Sequence, residues 1–204
     1  MPGLAASRQT FAPMEESEKD NVVLIGMPGA GKSTLGVVLA KILQFDFVDA
    51  DILIQREYGA SLREIIENEG AAGFIEREAE VLKGLAPSHT VIATGGSAVY
   101  SEEAMAHLHG IGHVVYLKAE EDDLKERLGS LVERGVVLRG GVSMSIDDLY
   151  SERMPLYDRH GEIVVSTSGI GATEGAYQAA ELLAPLLGLA TGESGEGVLA
   201  PMPL

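Results

Sequence analysis

The stretch from Asn21 to Thr34, NVVLIGMPGAGKST, constrains this chain more than any other. Val22, Val23, Leu24 and Ile25 form an unbroken apolar run closed by Gly26, which is how a strand covered on both faces reads. Residues Gly26 to Ser33 then fit G-x-x-x-x-G-K-[ST], and a helical pattern opens at Lys32. Glycines let such a loop curl until successive backbone N–H groups face one phosphate. The helix behind it adds the partial positive charge of its N-terminus. Gly26, Gly29, Ala30, Gly31 and Thr34 are therefore expected to cradle a nucleotide, with Lys32 reaching its β- and γ-phosphates and Ser33 ligating Mg²⁺. The guanine motif N-K-x-D is absent. Asp158-Arg159-His160-Gly161 fits D-x-x-G but lies before the last expected strand, so it does not mark a GTPase.

Beyond this loop, β-branched runs alternate with helical stretches. Strands are expected at Asn21–Gly26, Phe45–Asp49, Thr90–Gly95, His113–Leu117 and Ile163–Thr167. Helices are expected over 32–44, 51–57, 61–69, 72–85, 101–109, 120–130, 146–158 and 173–187. The alternation implies an α/β, three-layer P-loop NTPase fold, a five-stranded parallel sheet flanked by helices. Residues 1–20 and 189–204 lack periodicity and read as disordered tails, leaving 21–188 as the folded domain. The Gly-rich run LVERGVVLRGGVSMS reads as a lid over about 131–146.

The net charge of −16, from 31 acids against 15 bases, disfavours partners that need a basic face, nucleic acid and anionic membrane among them. No cysteine is present, so no disulfide or thiolate metal site can form. The N-terminus lacks the apolar core of a signal peptide. No run approaches the roughly 18 apolar residues of a membrane span. The chain is read as cytoplasmic, and as a monomer. His107 and His109 share a helix but no face, so the histidines suggest packing or surface roles rather than a metal site.

Three further motifs close expected elements. Asp49 and Asp51 stand two apart at the end of the second strand, where ligands of open α/β sheets bind. One carboxylate there can hold Mg²⁺ through water while the other orients a hydroxyl or accepts its proton; the competing reading makes Asp51 a helix N-cap. Thr94-Gly95-Gly96-Ser97 closes the third strand, with paired glycines that let backbone approach a substrate. Arg153-Met154-Pro155-Leu156-Tyr157 sits at a helix end with proline as the stop. Arg153 can serve the helix dipole or clamp a carboxylate or phosphate.

In their order and spacing these motifs resemble the shikimate kinases, over roughly residues 21–187. The resemblance implies a nucleoside-monophosphate-kinase fold and transfer of the γ-phosphoryl group of ATP to a hydroxyl of a small carboxylic acid, shikimate by default. It implies Lys32 as the phosphate lysine, Ser33 as the Mg²⁺ ligand and Asp49 as its water-mediated partner. It implies Asp51 as the hydroxyl-orienting aspartate, Gly95 and Gly96 at the substrate, and Arg153 on the substrate carboxylate. By ungapped counting Arg127 falls on the adenine-stacking arginine and Arg134 on the lid arginine, with Arg139 as a competitor.

The chain departs from the pattern in its acceptor half. The family's F-R-x-x-E is here Phe74-Ile75-Glu76-Arg77-Glu78, so Ile75 stands where a carboxylate-gripping arginine is expected. Arg77 lies about 200° around the helix from Ile75 and reads as a solvated face, whereas Glu78 shares the face of Phe74 and Ile75. Ser97 replaces a third glycine and adds a hydroxyl at the substrate's edge. A buried Glu78 without its arginine must be neutralised or paired. A substrate ammonium would pair it, which raises a small hydroxy amino acid such as homoserine as an alternative acceptor. A catalytically silent nucleotide-binding relative, or another P-loop small-molecule kinase such as a gluconate or nucleotide kinase, are further readings.

Overall fold

A computed structural model describes residues 19–128 and 146–189. Arg134, Arg139, the expected lid up to residue 145 and the expected tails, apart from residues 19, 20 and 189, lie outside the described residues. The chain runs β1 (Asn21–Ile25), α1 (Lys32–Leu43), β2 (Asp46–Asp49), α2 (Ala50–Tyr58), α3 (Leu62–Lys83) and β3 (Thr90–Ala93). It continues through a 3-10 turn (Ala98–Tyr100), α4 (Glu102–Ile111), β4 (Gly112–Lys118), α5 (Glu121–Leu128), α6 (Ile146–His160), β5 (Ile163–Ser166) and α7 (Ala172–Leu183).

The strands are all parallel, in the order β2-β3-β1-β4-β5. Val23 of β1 pairs with Ile92 on one side and Val114 on the other. The chain fills one flank of β1 with β2 and β3, then crosses to the other flank for β4 and β5. Strand order therefore reverses around β1, and the crevice at the carboxyl ends of the strands opens there. The central strands β1 and β3 are buried at every position, which is why they read as unbroken apolar runs. The edge strands carry the polar residues: no residue of Asp46-Phe47-Val48-Asp49 is fully buried, and in β5 only Val165 is.

Local chemistry sets the helix ends. A capping box starts α3, with Ser61 Oγ accepting from the Glu64 N–H and Glu64 returning a bond to the Ser61 N–H. Asp49 caps α2 by accepting from the Asp51 N–H at 3.0 Å. The helical run of α3 is broken at Gly70, whose φ of 74° and ψ of 176° divide it near the expected boundary between 61–69 and 72–85. The expected stop at Pro155 is not one, because α6 runs through it to His160. Burial of Tyr157 and His160 beyond the proline holds the final turn despite the lost N–H donor.

The main core lies on both faces of the sheet. A smaller one, Ile54, Ile65 and Phe74, joins α2 to α3 and anchors the half of α3 that carries Glu78. Gly70→Ala tests the break in α3. No atom lies within 4 Å of a Cβ placed there, so its effect is conformational rather than steric. Equilibrium urea unfolding is expected to show a loss of about 1–3 kcal/mol with an unchanged m-value.

Candidate functional site

At the carboxyl edge, the loop after β1 turns through Gly26 (φ 147°), Gly29 (φ 81°) and Gly31 (φ 94°), angles that side chains resist. Helix α1 starts at Lys32 with no side-chain cap, leaving its first-turn N–H groups to a ligand. Lys32 is buried and donates from Nζ to the carbonyls of Gly26 (2.7 Å) and Met27 (3.0 Å). Burial lowers its pKa to about 8 against the opposing pull of Asp51. A phosphate anion beside it would restore the charge.

A cavity of about 290 Å³ opens beside this loop, lined by Gly29, Gly31, Thr34, Arg127, Ile170 and Gly171 among others. Gly171 is the N-cap of α7, which also lacks a side-chain cap, so two open helix N-termini flank one cavity. Arg127 spans its mouth, donating to Gly29 O at 3.3 Å and Thr167 O at 3.1 Å. Ser33 and Thr34 are exposed on the first turn of α1.

The acceptor half is built on the end of β3. Thr94 donates from both N–H and Oγ1 to Leu24 O, tying this end to β1. Tyr157 Oη donates to Gly96 O at 2.6 Å. Pro28 packs on Gly96 so closely that a Cβ there would lie 2.8 Å from its ring, which joins the phosphate loop to the acceptor segment. A Cβ on Gly96 would also lie 3.0 Å from Arg153 Nη1. Arg153 is 1% exposed; its Nε donates to Tyr100 Oη at 3.1 Å and its guanidinium lies over the Tyr100 ring.

Two carboxylates converge on Gly95. A Cβ there would overlap Glu78 Oε1 and lie 3.0 Å from Asp51 Oδ1. Burial raises the Asp51 pKa, and Lys32 opposes the rise. Glu78 is 1% exposed, and burial pushes its pKa up to about 7. The Ser97 hydroxyl donates to Glu78 Oε2 at 2.5 Å, while buried Oε1 has no hydrogen-bond partner among the described residues.

Lys32, Asp51, Glu78, Gly95, Gly96 and Arg153 are thus brought into one site, with Arg127 at the cavity beside the phosphate loop. Two expectations change. The α2 cap is Asp49, not Asp51, because Asp51 already lies inside the helix. The Ser97 hydroxyl, expected at a substrate's edge, is buried and donates to Glu78. That removes half the premise for an ammonium-bearing acceptor, since Glu78 keeps one partner. Ile75 is half-buried on α3. Arg77 faces outward, paired with Glu69 and Glu80 and lying over Tyr58. Asp158–Gly161 ends α6 before β5 and so sits at the opposite edge of the sheet. Among the described residues no cluster of His, Asp and Glu could hold a metal ion by itself, and no helix is long and apolar enough to cross a membrane.

Sequence reasoning did not assign Tyr100, Tyr157, Thr167, Ile170 or Gly171. Tyr157 was within reach, since it lies four residues from Arg153 on one helix face. Gly171 could have been found as a second glycine opening a helix at the carboxyl edge.

The shikimate kinase family model matches residues 28–184. Over 151 residues, 73% of this chain and 86% of the relative, the chain is 37% identical to the shikimate kinase of Francisella tularensis subsp. holarctica. Over 148 residues, 72% of this chain and 70% of the relative, it is 38% identical to that of Nitrosomonas europaea. The solved structure of Acinetobacter baumannii shikimate kinase in complex with shikimate superposes with a TM-score of 0.74 at 31% identity, covering 83% of this chain and 95% of that one. These names lend no support to a hydroxy amino acid acceptor.

The tight seat of Glu78 against Gly95 predicts the effect of Gly95→Ala. Its methyl must displace a buried carboxylate tethered to Ser97. Thermal or denaturant unfolding should show a loss of about 1–3 kcal/mol.

Proposed function

The chain belongs to the shikimate kinase family, and from that premise we propose that it transfers the γ-phosphoryl group of ATP to a hydroxyl of shikimate. One observation carries the reading: Asp51 and Arg153 flank Gly95 and Gly96 within electrostatic reach of Lys32, and the phosphate loop itself packs on Gly96 through Pro28. Donor and acceptor sites are therefore contiguous.

In this reading the nucleotide lies along the phosphate loop, its base toward Arg127 and the cavity bounded by Ile170 and Gly171. Lys32 leaves one or both loop carbonyls to meet the β- and γ-phosphates. Arg153 takes the acceptor carboxylate, and Tyr100 keeps its guanidinium aimed. Asp51 orients the acceptor hydroxyl and receives its proton as the new P–O bond forms and the bond to the β-phosphate oxygen breaks. The raised pKa of Asp51 makes it a better proton acceptor than an exposed aspartate. Most of the acceleration comes from positioning and charge neutralisation.

Mg²⁺ fits the oxygen donors present: the exposed Ser33 hydroxyl, and Asp49, which caps α2 with one oxygen and can offer the other through water. Bound there, the ion would neutralise phosphate charge. The lid arginine, Arg134 or Arg139, belongs to the same reading as a residue that closes over the phosphates. The net charge of −16 suits small-molecule ligands rather than polyanionic partners. We read the chain as a cytoplasmic monomer.

The test is ADP release with Mg-ATP and shikimate, run beside L-homoserine. Shikimate should be turned over, and Asp51→Asn should cut kcat at least about 100-fold. Shikimate turnover no greater than that of the Asn variant would sink the reading.

A further inference from the structure

Glu78 is a carboxylate whose surroundings do not match its burial. Among the described residues it has no ion pair within bonding distance, and its Oε1 faces Gly95 without a hydrogen-bond partner. Its sole hydrogen bond among the described residues comes from a neutral hydroxyl, that of Ser97. A basic residue at position 75 would have kept it charged, but Ile75 supplies no charge. A buried carboxylate left with one neutral partner lies near the balance between its ionised and protonated forms.

The charged and titratable groups facing it come from three elements. Lys32 of α1 and Arg153 of α6 favour its ionised form, Asp51 of α2 opposes it, and Tyr157 of α6 lies near enough to feel its charge. Arg153 is also the group assigned above to the acceptor carboxylate. An acceptor anion on Arg153 withdraws part of what keeps Glu78 ionised and adds a repelling negative charge.

Resting on the shikimate kinase reading, we propose that Ser97 is a positioning residue that, in place of a basic partner, holds Glu78 poised to take up a proton when an anionic acceptor binds at Arg153. The proton comes from solvent and ends on Glu78; no other bond changes. The sign follows from linkage. Binding that takes up a proton weakens as pH rises from the free-site pKa, about 7, toward the higher pKa of the complex. The Ser97 hydrogen bond favours the ionised form, so its removal moves that window to higher pH.

The experiment measures shikimate KM at saturating Mg-ATP between about pH 6 and 9, for the wild type, Glu78→Gln and Ser97→Ala. It is paired with calorimetric titration of shikimate in two buffers of different ionisation enthalpy, which reads net proton uptake. For the wild type, KM should rise up to about tenfold per pH unit above the onset, with proton uptake on binding. Glu78→Gln, isosteric and without a titration, should hold KM within about twofold over that range and abolish the uptake. Ser97→Ala should keep the dependence but shift its onset upward, which a merely structural serine would not do. Equal proton uptake by wild type and Glu78→Gln, or an unshifted onset in Ser97→Ala, overturns the inference and leaves the kinase reading intact. Absence of wild-type shikimate turnover overturns the reading and the inference with it.

Discussion

Lys32, Asp51, Glu78 and Arg153, from four different helices, share a site that the carboxyl edge of the sheet largely shields from water. Charge buried without partners is costly, so the rest of the site can be understood as what holds each group in place. Two loop carbonyls take the Lys32 ammonium, and Tyr100 takes the Arg153 guanidinium. The Asp51 carboxylate stays partly open and feels Lys32. Glu78 has the thinnest support, a single hydroxyl. A catalytic centre for phosphoryl transfer needs this concentration of charge, because it works by meeting developing negative charge with groups already oriented.

The sheet order makes that concentration possible. With β1 central and strand order reversing around it, the loops after β1, β2 and β3 rise side by side at one edge. Thr94 locks the end of β3 to Leu24 of β1, and Pro28 rests on Gly96, so the phosphate loop and the acceptor segment form one unit. Tyr157, stacked on Tyr116 of β4, fastens Gly96 from the far side. Glycine at 95 and 96 is a matter of space: the Glu78 carboxylate and the Pro28 ring occupy the positions their Cβ atoms would need.

Much of this was legible in the sequence where local physics decides it. The buried strands show as apolar runs because both faces are covered, and the phosphate loop shows because glycine spacing, a lysine and a following helix report one backbone shape. The capping box at Ser61 marks the start of α3, and Gly70 its division. The helical period places Glu78 inward and Arg77 outward. What escaped depends on direction or on distant partners. Whether Ser97 points at a substrate or at Glu78 depends on how α3 lies against the end of β3, which no local pattern records. Pro155 looked like a stop because its missing donor is local, whereas the burial of Tyr157 and His160 that overrides it is not. The cavity beside Arg127 is assembled from the phosphate loop and the start of α1, the end of α5, and the loop from β5 to α7, pieces far apart along the chain.

Ile75 in an arginine's place, with the Ser97 hydroxyl on Glu78, alters the charge balance of the site. A basic residue on α3 would give three cations against Asp51 and Glu78. This chain has Lys32 and Arg153 against the same two carboxylates, which leaves no surplus positive charge for an incoming anion among the described residues. In the proposed reading an acceptor carboxylate draws on Arg153. Both cations are also what favours the ionised form of Glu78. On that reading acceptor binding pushes Glu78 toward the neutral acid. That shift needs no movement of the backbone, only a buried carboxylate held by a hydroxyl instead of a guanidinium.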